Sequence, residues 1–154
     1  MPPHLLRLLA PAAMVAAGCS VFTGPPAPGP EAGRYVAVTL AGRPLPATLD
    51  SADWGFGVLV ADTLELDGRG GARRAWAVRR VHRRLGVDTV FGGASAPQYR
   101  LGAGGQLEVG NFRPCDPRAL CAPNDTGTLI GVRAVLVSYH TAGGQPLALE
   151  RVAP

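Results

Sequence analysis

Glycine and proline punctuate this chain so often that no apolar run after its first twenty residues has room to become a long helix. Of 154 residues, 21 are glycine and 15 are proline, and between them apolar and polar residues alternate in short stretches. Period-two alternation is the pattern of a strand with one buried face, whereas an amphipathic helix needs apolar residues at i, i+3 and i+4 over ten or more positions. Residues 35–40 read as a strand, and Gly42, Pro44 and Pro46 interrupt before a second short extended piece. Residues 58–66 alternate toward Asp67-Gly68, a pair suited to a tight hairpin turn, and residues 73–84 read as the return strand. Residues 98–101 and 106–109 flank Ala103, Gly104 and Gly105, and residues 132–139 and 147–152 flank 141–144. Hairpins at this spacing predict an all-β domain, a single antiparallel meander forming a barrel or a sandwich.

The N-terminus obeys a different rule. His4 and Arg7 precede an apolar stretch over residues 8–17, too short for the roughly 20 residues a spanning helix requires and broken by Pro11. It reads as a removable signal segment. Val15, Ala16, Ala17, Gly18 and Cys19 close it, and this run resembles the lipobox of bacterial lipoproteins, with Ala16 where leucine is usual. The resemblance implies cleavage before Cys19, lipid on Cys19, and export to a membrane-anchored position in the cell envelope. Ser20 after the cysteine implies the outer membrane where the host has one. Ordinary secretory cleavage at an Ala-x-Ala-like site is the alternative. Pro25, Pro26, Pro28 and Pro30, with glycines between them, then favour extended solvated backbone. The expected organisation is therefore a signal peptide over 1–18, a lipidated cysteine and tether over 19–33, and a β-domain over 34–154.

Charge narrows the partners. The fifteen basic side chains are all arginine, and the net charge is only +4, so neither composition nor export suits a nucleic-acid partner. Arg73, Arg74, Arg79, Arg80, Arg83 and Arg84 cluster around Trp76, Val78, Val81 and His82. Paired arginines put one on each face of a strand, which defeats simple alternation. A strand projecting beyond the sheet, or a short basic amphipathic helix, would accommodate them. The functional reading is a contact for anionic lipid headgroups or an acidic envelope polymer, for which guanidinium forks are suited; the alternative is a solvated strand in a lysine-free chain.

Gly33-Arg34-Tyr35, Val38, Gly42-Arg43-Pro44-Leu45-Pro46 and Thr63-Leu64-Glu65-Leu66-Asp67-Gly68 resemble the small lipocalin-like β-domains of some bacterial lipoproteins. The resemblance covers about the first third of the domain. It implies a meander of strands and no common reaction, so no catalytic residue follows from it.

Candidate chemistry is sparse. Cys115 and Cys121 sit among prolines, and their Cys-x5-Cys spacing matches neither the redox Cys-x-x-Cys nor common zinc knuckles, so a structural disulfide is expected. Asp116, Asn124 and Asp125 could offer oxygen to calcium, but they lack EF-hand spacing and suit turns equally well. Ser51, Ser95 and Ser138 are the candidate nucleophiles, with His82 and His140 as bases; no nucleophile elbow surrounds any of them. Ser138 and His140 stand about 7 Å apart along a strand. Asp50 with Asp53, and Asp62 with Glu65, read as turn and surface acids. No metal or cofactor motif is visible, and no catalytic set is assigned. Most aromatics suit a core, whereas Trp54 and Phe56, in a glycine-flanked loop, are expected at the mouth of a barrel holding a small apolar ligand. Three functions stay open: a tethered non-catalytic binding or interaction domain, a lipocalin-like carrier, and an envelope hydrolase.

Overall fold

The computed structural model describes residues 27–114, 123–139 and 141–153. Cys19, Cys115, Cys121 and His140 lie outside the described residues, and with them the expected lipidation, the expected disulfide and one candidate base. The rest is all-β: β1 (Gly33–Leu40), β2 (Arg43–Pro44), β3 (Ala47–Ala52), β4 (Gly55–Leu66), β5 (Ala72–His82), β6 (Val87–Ser95), β7 (Gln98–Leu101), β8 (Gln106–Gly110), β9 (Asp125–Ile130), β10 (Arg133–Ser138) and β11 (Gln145–Arg151), with one 3-10 turn at Ala103–Gly105. Among the described residues no helix is long and apolar enough to cross a membrane.

Neighbouring strands run in the order β6-β5-β4-β1-β11-β10-β9-β8-β7, with β2 on β1 and β3 on β4. All pairs are antiparallel, and the sheet curls into a half-barrel around Tyr35, Leu64, Leu107, Leu136, Leu147 and Leu149. One end closes. The Ala72 N–H donates to the Pro97 carbonyl at 2.9 Å, the Tyr99 N–H donates to the Gly70 carbonyl at 2.8 Å, and a bridge joins Gly71 to Gln98. Beyond Pro97 the edges part, because β6 stays on β5 while β8 turns toward β7 and β9. The upper halves of β4 and β5, flanked by β3 and β6, therefore stand above the open end as a wall.

A bulge sets which side chains face inward. Register between β4 and β5 slips between Leu59 and Ala61, and an extra residue reverses the parity of a strand. Below the slip Asp62, Leu64 and Leu66 are buried; above it Gly55, Gly57 and Leu59 are. Across β5 the matching inward set is Ala72, Arg74, Trp76, Val78, Arg80 and His82. Segment 73–84 is thus mainly a strand, but it is paired with β4 and β6 along its length rather than projecting beyond the sheet or forming a helix as expected, and it ends in a turn over Arg83 and Arg84.

Two strands had no sequence counterpart. β6 carries Gly92-Gly93 and is exposed along nearly its whole length, and β9 is interrupted by Gly127. Gly127 is required by proximity: a Cβ there would come within 1.8 Å of the Val135 carbonyl oxygen. The β4–β5 turn is the expected one, with Gly68 at φ +73° and Asp67 Oδ1 accepting the N–H groups of Arg69 at 2.7 Å and Gly71 at 2.9 Å.

The segment before β1 is docked on the closed end. Gly29 N–H donates to the Gly68 carbonyl at 3.0 Å, Arg151 Nη1 donates to the Pro30 carbonyl at 3.0 Å, and the Tyr35 hydroxyl donates to the Glu31 carbonyl at 2.8 Å. The Tyr99 hydroxyl donates to Glu31 Oε1 at 2.8 Å. Among the described residues the docking hydrogen bonds thus begin at Gly29, inside the segment read as tether. Burial, reinforced by the Glu31 carboxylate, pushes the Tyr99 hydroxyl up to about 12 from its ordinary 10.0. An unfolded chain then loses that proton first, so the stabilisation is complete below pH 10 and is lost as pH rises from about 10 to about 12. Melting temperature measured from pH 8 upward should fall more steeply above pH 10 in the wild type than in Tyr99→Phe, which lacks the titrating group.

Candidate functional site

Inward parity puts a guanidinium into the barrel at Arg74, which is only 4% exposed. A charge so placed needs partners, since an unpaired buried ion costs several kcal/mol. Asp62, on the adjacent strand, grips it with both oxygens: Arg74 Nε donates to Oδ1 at 2.9 Å and Nη2 to Oδ2 at 2.7 Å. The opposite side of the barrel supplies the rest. Arg74 Nη1 pairs with Asp125, the first residue of β9, and Nη2 donates to Ser138 Oγ at 3.0 Å and Thr141 Oγ1 at 2.8 Å. Ser138 Oγ in turn donates to Asp125 Oδ2 at 3.0 Å, Thr141 Oγ1 to Asp62 Oδ2 at 2.6 Å, and the Tyr139 N–H to Asp125 Oδ1 at 2.7 Å. Among the described residues no buried side-chain nitrogen or oxygen lacks a partner. Burial alone would depress the Arg74 guanidinium; its hydrogen bonds to Asp62 and the charges of Asp62 and Asp125 outweigh that and hold it above its ordinary range.

This network forms the floor of a cavity of about 590 Å³ at the open end, where β6 and β8 part. Arg74, Asp125 and Thr141 line it from below, Trp76 from β5, Ser95, Pro97 and Gln98 from the β6–β7 bend, and Val109, Asn111 and Arg113 from the end of β8 and beyond. The Trp76 ring is held edge-on by Phe91, with centroids 5.9 Å apart at 88°. The volume falls within the roughly 300–1,000 Å³ of small-molecule sites, and the mixed lining is typical of them.

The residues singled out from sequence are scattered across this plan. The six arginines do not form one surface: Arg74 lies in the floor, because the even positions of β5 point inward. Arg79 pairs with Asp88 on the outer face, and Arg80 Nη1 meets Asp50 Oδ1 at 2.6 Å. Arg73, Arg83 and Arg84 have no acidic partner within 4.0 Å among the described residues, and Arg83 lies over the Phe56 ring at 5.8 Å. Trp54 and Phe56 do not line the cavity. They stand at the tip of the wall, with Trp54 on His82 at 5.5 Å between centroids, and Phe56 is six β4 residues from Asp62, about 20 Å along a strand. Ser138 turns to Asp125, Thr141 and Arg74, and His82 to Trp54 and the Leu85 N–H, so these two are not brought together.

Asp62 is fully buried, which corrects its reading as a surface acid, and Asp125 is a buried strand residue rather than a loop ligand. Asn124 is engaged elsewhere, accepting from the Asn111 N–H at 3.2 Å and donating to Glu108 Oε1 at 2.7 Å. Among the described residues no three His, Cys, Asp or Glu side chains gather as metal ligands would. The signal for Asp62 was present in the sequence: it stands on the apolar parity of 58–66 below the bulge, diagonal to Arg74 in the Asp67-Gly68 hairpin. Nothing local announced Asp125, Ser138 or Thr141, which lie 51 to 67 residues from Arg74. Compared with known proteins, the chain matches no family model, no curated protein and no solved structure.

Replacing Arg74 by methionine should lower stability by about 3–5 kcal/mol, because two carboxylates are left buried without a counter-charge. Arg74→Lys should lose less, keeping the charge but not the fork that reaches both acids. Urea unfolding checks this, with Arg79→Met, which breaks an exposed pair, as the nearly unaffected comparison.

Proposed function

We propose that the chain is an exported, membrane-tethered and non-catalytic binding domain that holds a small ligand in the cavity above Arg74. The observation that carries the reading is the cavity itself, built at the open end of a curled antiparallel sheet, with an apolar wall and a hydrogen-bonded floor. Enclosure of a ligand by a small β-barrel is the mode implied by the lipocalin-like resemblance, and interior space of this kind begins at about eight strands. The polar floor residues are spent on one another, which supports binding over chemistry: Ser138 Oγ donates to a carboxylate rather than being activated by a base.

The anchoring half of the proposal rests on the lipobox-like run ending in Cys19. Nine residues lie between Cys19 and Gly29, the first described residue with a docking hydrogen bond, a reach of about 30 Å for a Pro-rich chain. Since Gly29 docks on the closed end, the anchor would hold that end toward the bilayer and leave the mouth facing the compartment. Arg73, Arg83 and Arg84 remain a secondary contact for anionic headgroups or an acidic polymer, and no nucleic-acid role is proposed.

Two measurements test the two halves separately. Mature chain with Cys19→Ser, free of lipid, should bind the apolar fluorophore N-phenyl-1-naphthylamine saturably at one site. Trp76→Ala should weaken that binding by about tenfold, a loss matching part of one aromatic side chain's buried area, while Trp54→Ala should not; a titration that never saturates overturns the cavity. Mass spectrometry of the mature N-terminus should find a diacylglyceryl group on Cys19, and an unmodified cysteine or a cut elsewhere overturns the anchor.

A further inference from the structure

A buried arginine at the base of a cavity suggests an anion site, and the geometry here points the other way. Arg74 is bidentate to Asp62, paired with Asp125, and shared with Ser138 and Thr141. Its charge is spent. One guanidinium faces two carboxylates, so the ionised floor carries a formal charge of −1, and among the described residues neither acid has a second cation within 4.0 Å. Asp125 is the acid that lines the cavity. Its Oδ2 takes Arg74 and Ser138, whereas among the described residues Oδ1 accepts only the Tyr139 N–H. The Asp125 side chain is only 1% exposed, so a cation in the cavity meets the charge of the floor at short range without bonding Oδ1.

Resting on the reading of the cavity as a binding site, we propose that it takes a small amphiphilic cation: a protonated amine on an apolar body, with the ammonium toward Asp125 and the body against Trp76. The head brings the positive charge that the floor lacks. The indole beside it suits both parts, since an aromatic face attracts a cation and buries a hydrocarbon. Pro97 and Val109 extend the apolar side. The other charged lining residue, Arg113, is exposed at the rim, where solvent and salt screen its repulsion more than the buried carboxylates are screened.

The test uses three probes of similar size on the lipid-free mature chain at neutral pH: 2-phenylethylammonium, 2-phenylethanol and 3-phenylpropionate, measured by titration calorimetry. The ammonium should bind a few-fold more tightly than the alcohol, the effect of a nearby floor charge, and the carboxylate most weakly. Arg113→Gln should tighten the ammonium a few-fold relative to the alcohol. Asp125→Asn should abolish the preference for the ammonium; should that variant fail to fold, the wild-type ranking and Arg113→Gln still decide. A carboxylate that binds as well as the ammonium overturns the ligand class and leaves the cavity standing. Failure of all three probes together with N-phenyl-1-naphthylamine overturns the cavity and this inference with it.

Discussion

The pairing of Arg74 with Asp62 and Asp125 is the constraint around which the open end is organised. Three ionised groups inside a small barrel would each be costly alone; together, with Ser138 and Thr141, they leave no described buried polar side-chain atom without a partner. Such a network is a strict geometric condition, because guanidinium and carboxylate tolerate little misalignment. It ties β5 and β4 to the start of β9 and the end of β10, elements that share no backbone ladder. At the closed end backbone hydrogen bonds join the edges; at the open end side chains do so.

That division of labour leaves room for a site. Pro97 marks the point where β6 and β8 separate, and above it β6 has, among the described residues, only β5 as a partner. A barrel zipped along its full length would fill this space with interdigitated side chains, as small barrels do. Here the floor is polar and the wall carries Trp76, so the gap is a lined cavity. The docked segment from Gly29 to Glu31 covers the other end, with Glu31 receiving Tyr99 and lending its carbonyl to Tyr35. Among the described residues the cavity thus opens at the end opposite to the one on which residues 29–31 dock.

Much of the secondary structure was legible because strand signals are local. The alternation in 35–40, the Asp67-Gly68 turn with its flanking strands, and the hairpins around 102–105 and 139–144 all appear where turn chemistry puts them. β6 and β9 were not legible: their glycines lower strand propensity, and their conformation comes from pairing with β5 and β10. The arginine doublets were expected to defeat simple alternation, yet β5 alternates regularly and buries Arg74 on its inward face. Which member of each pair points inward is set by the register of β5 against β4 and β6 across the sheet. For that reason Arg74 was grouped with surface arginines, and Trp76 was left among core aromatics while Trp54 and Phe56 were expected at the mouth.

By itself the sequence determined the class of fold and the chemical inventory, since glycine, proline and alternating apolar residues act through a few neighbouring positions. It also marked the N-terminal run ending at Cys19 as a segment of different character from the domain. Only the tertiary structure decided which residues meet. Asp125, Ser138 and Thr141 reach Arg74 across 51 to 67 residues of chain, through a curl whose closure depends on every intervening pairing. The site is a property of that closure: two acids and an arginine that look like ordinary surface residues along the chain become, once the sheet has curled, a neutral-seeking floor beneath an aromatic wall.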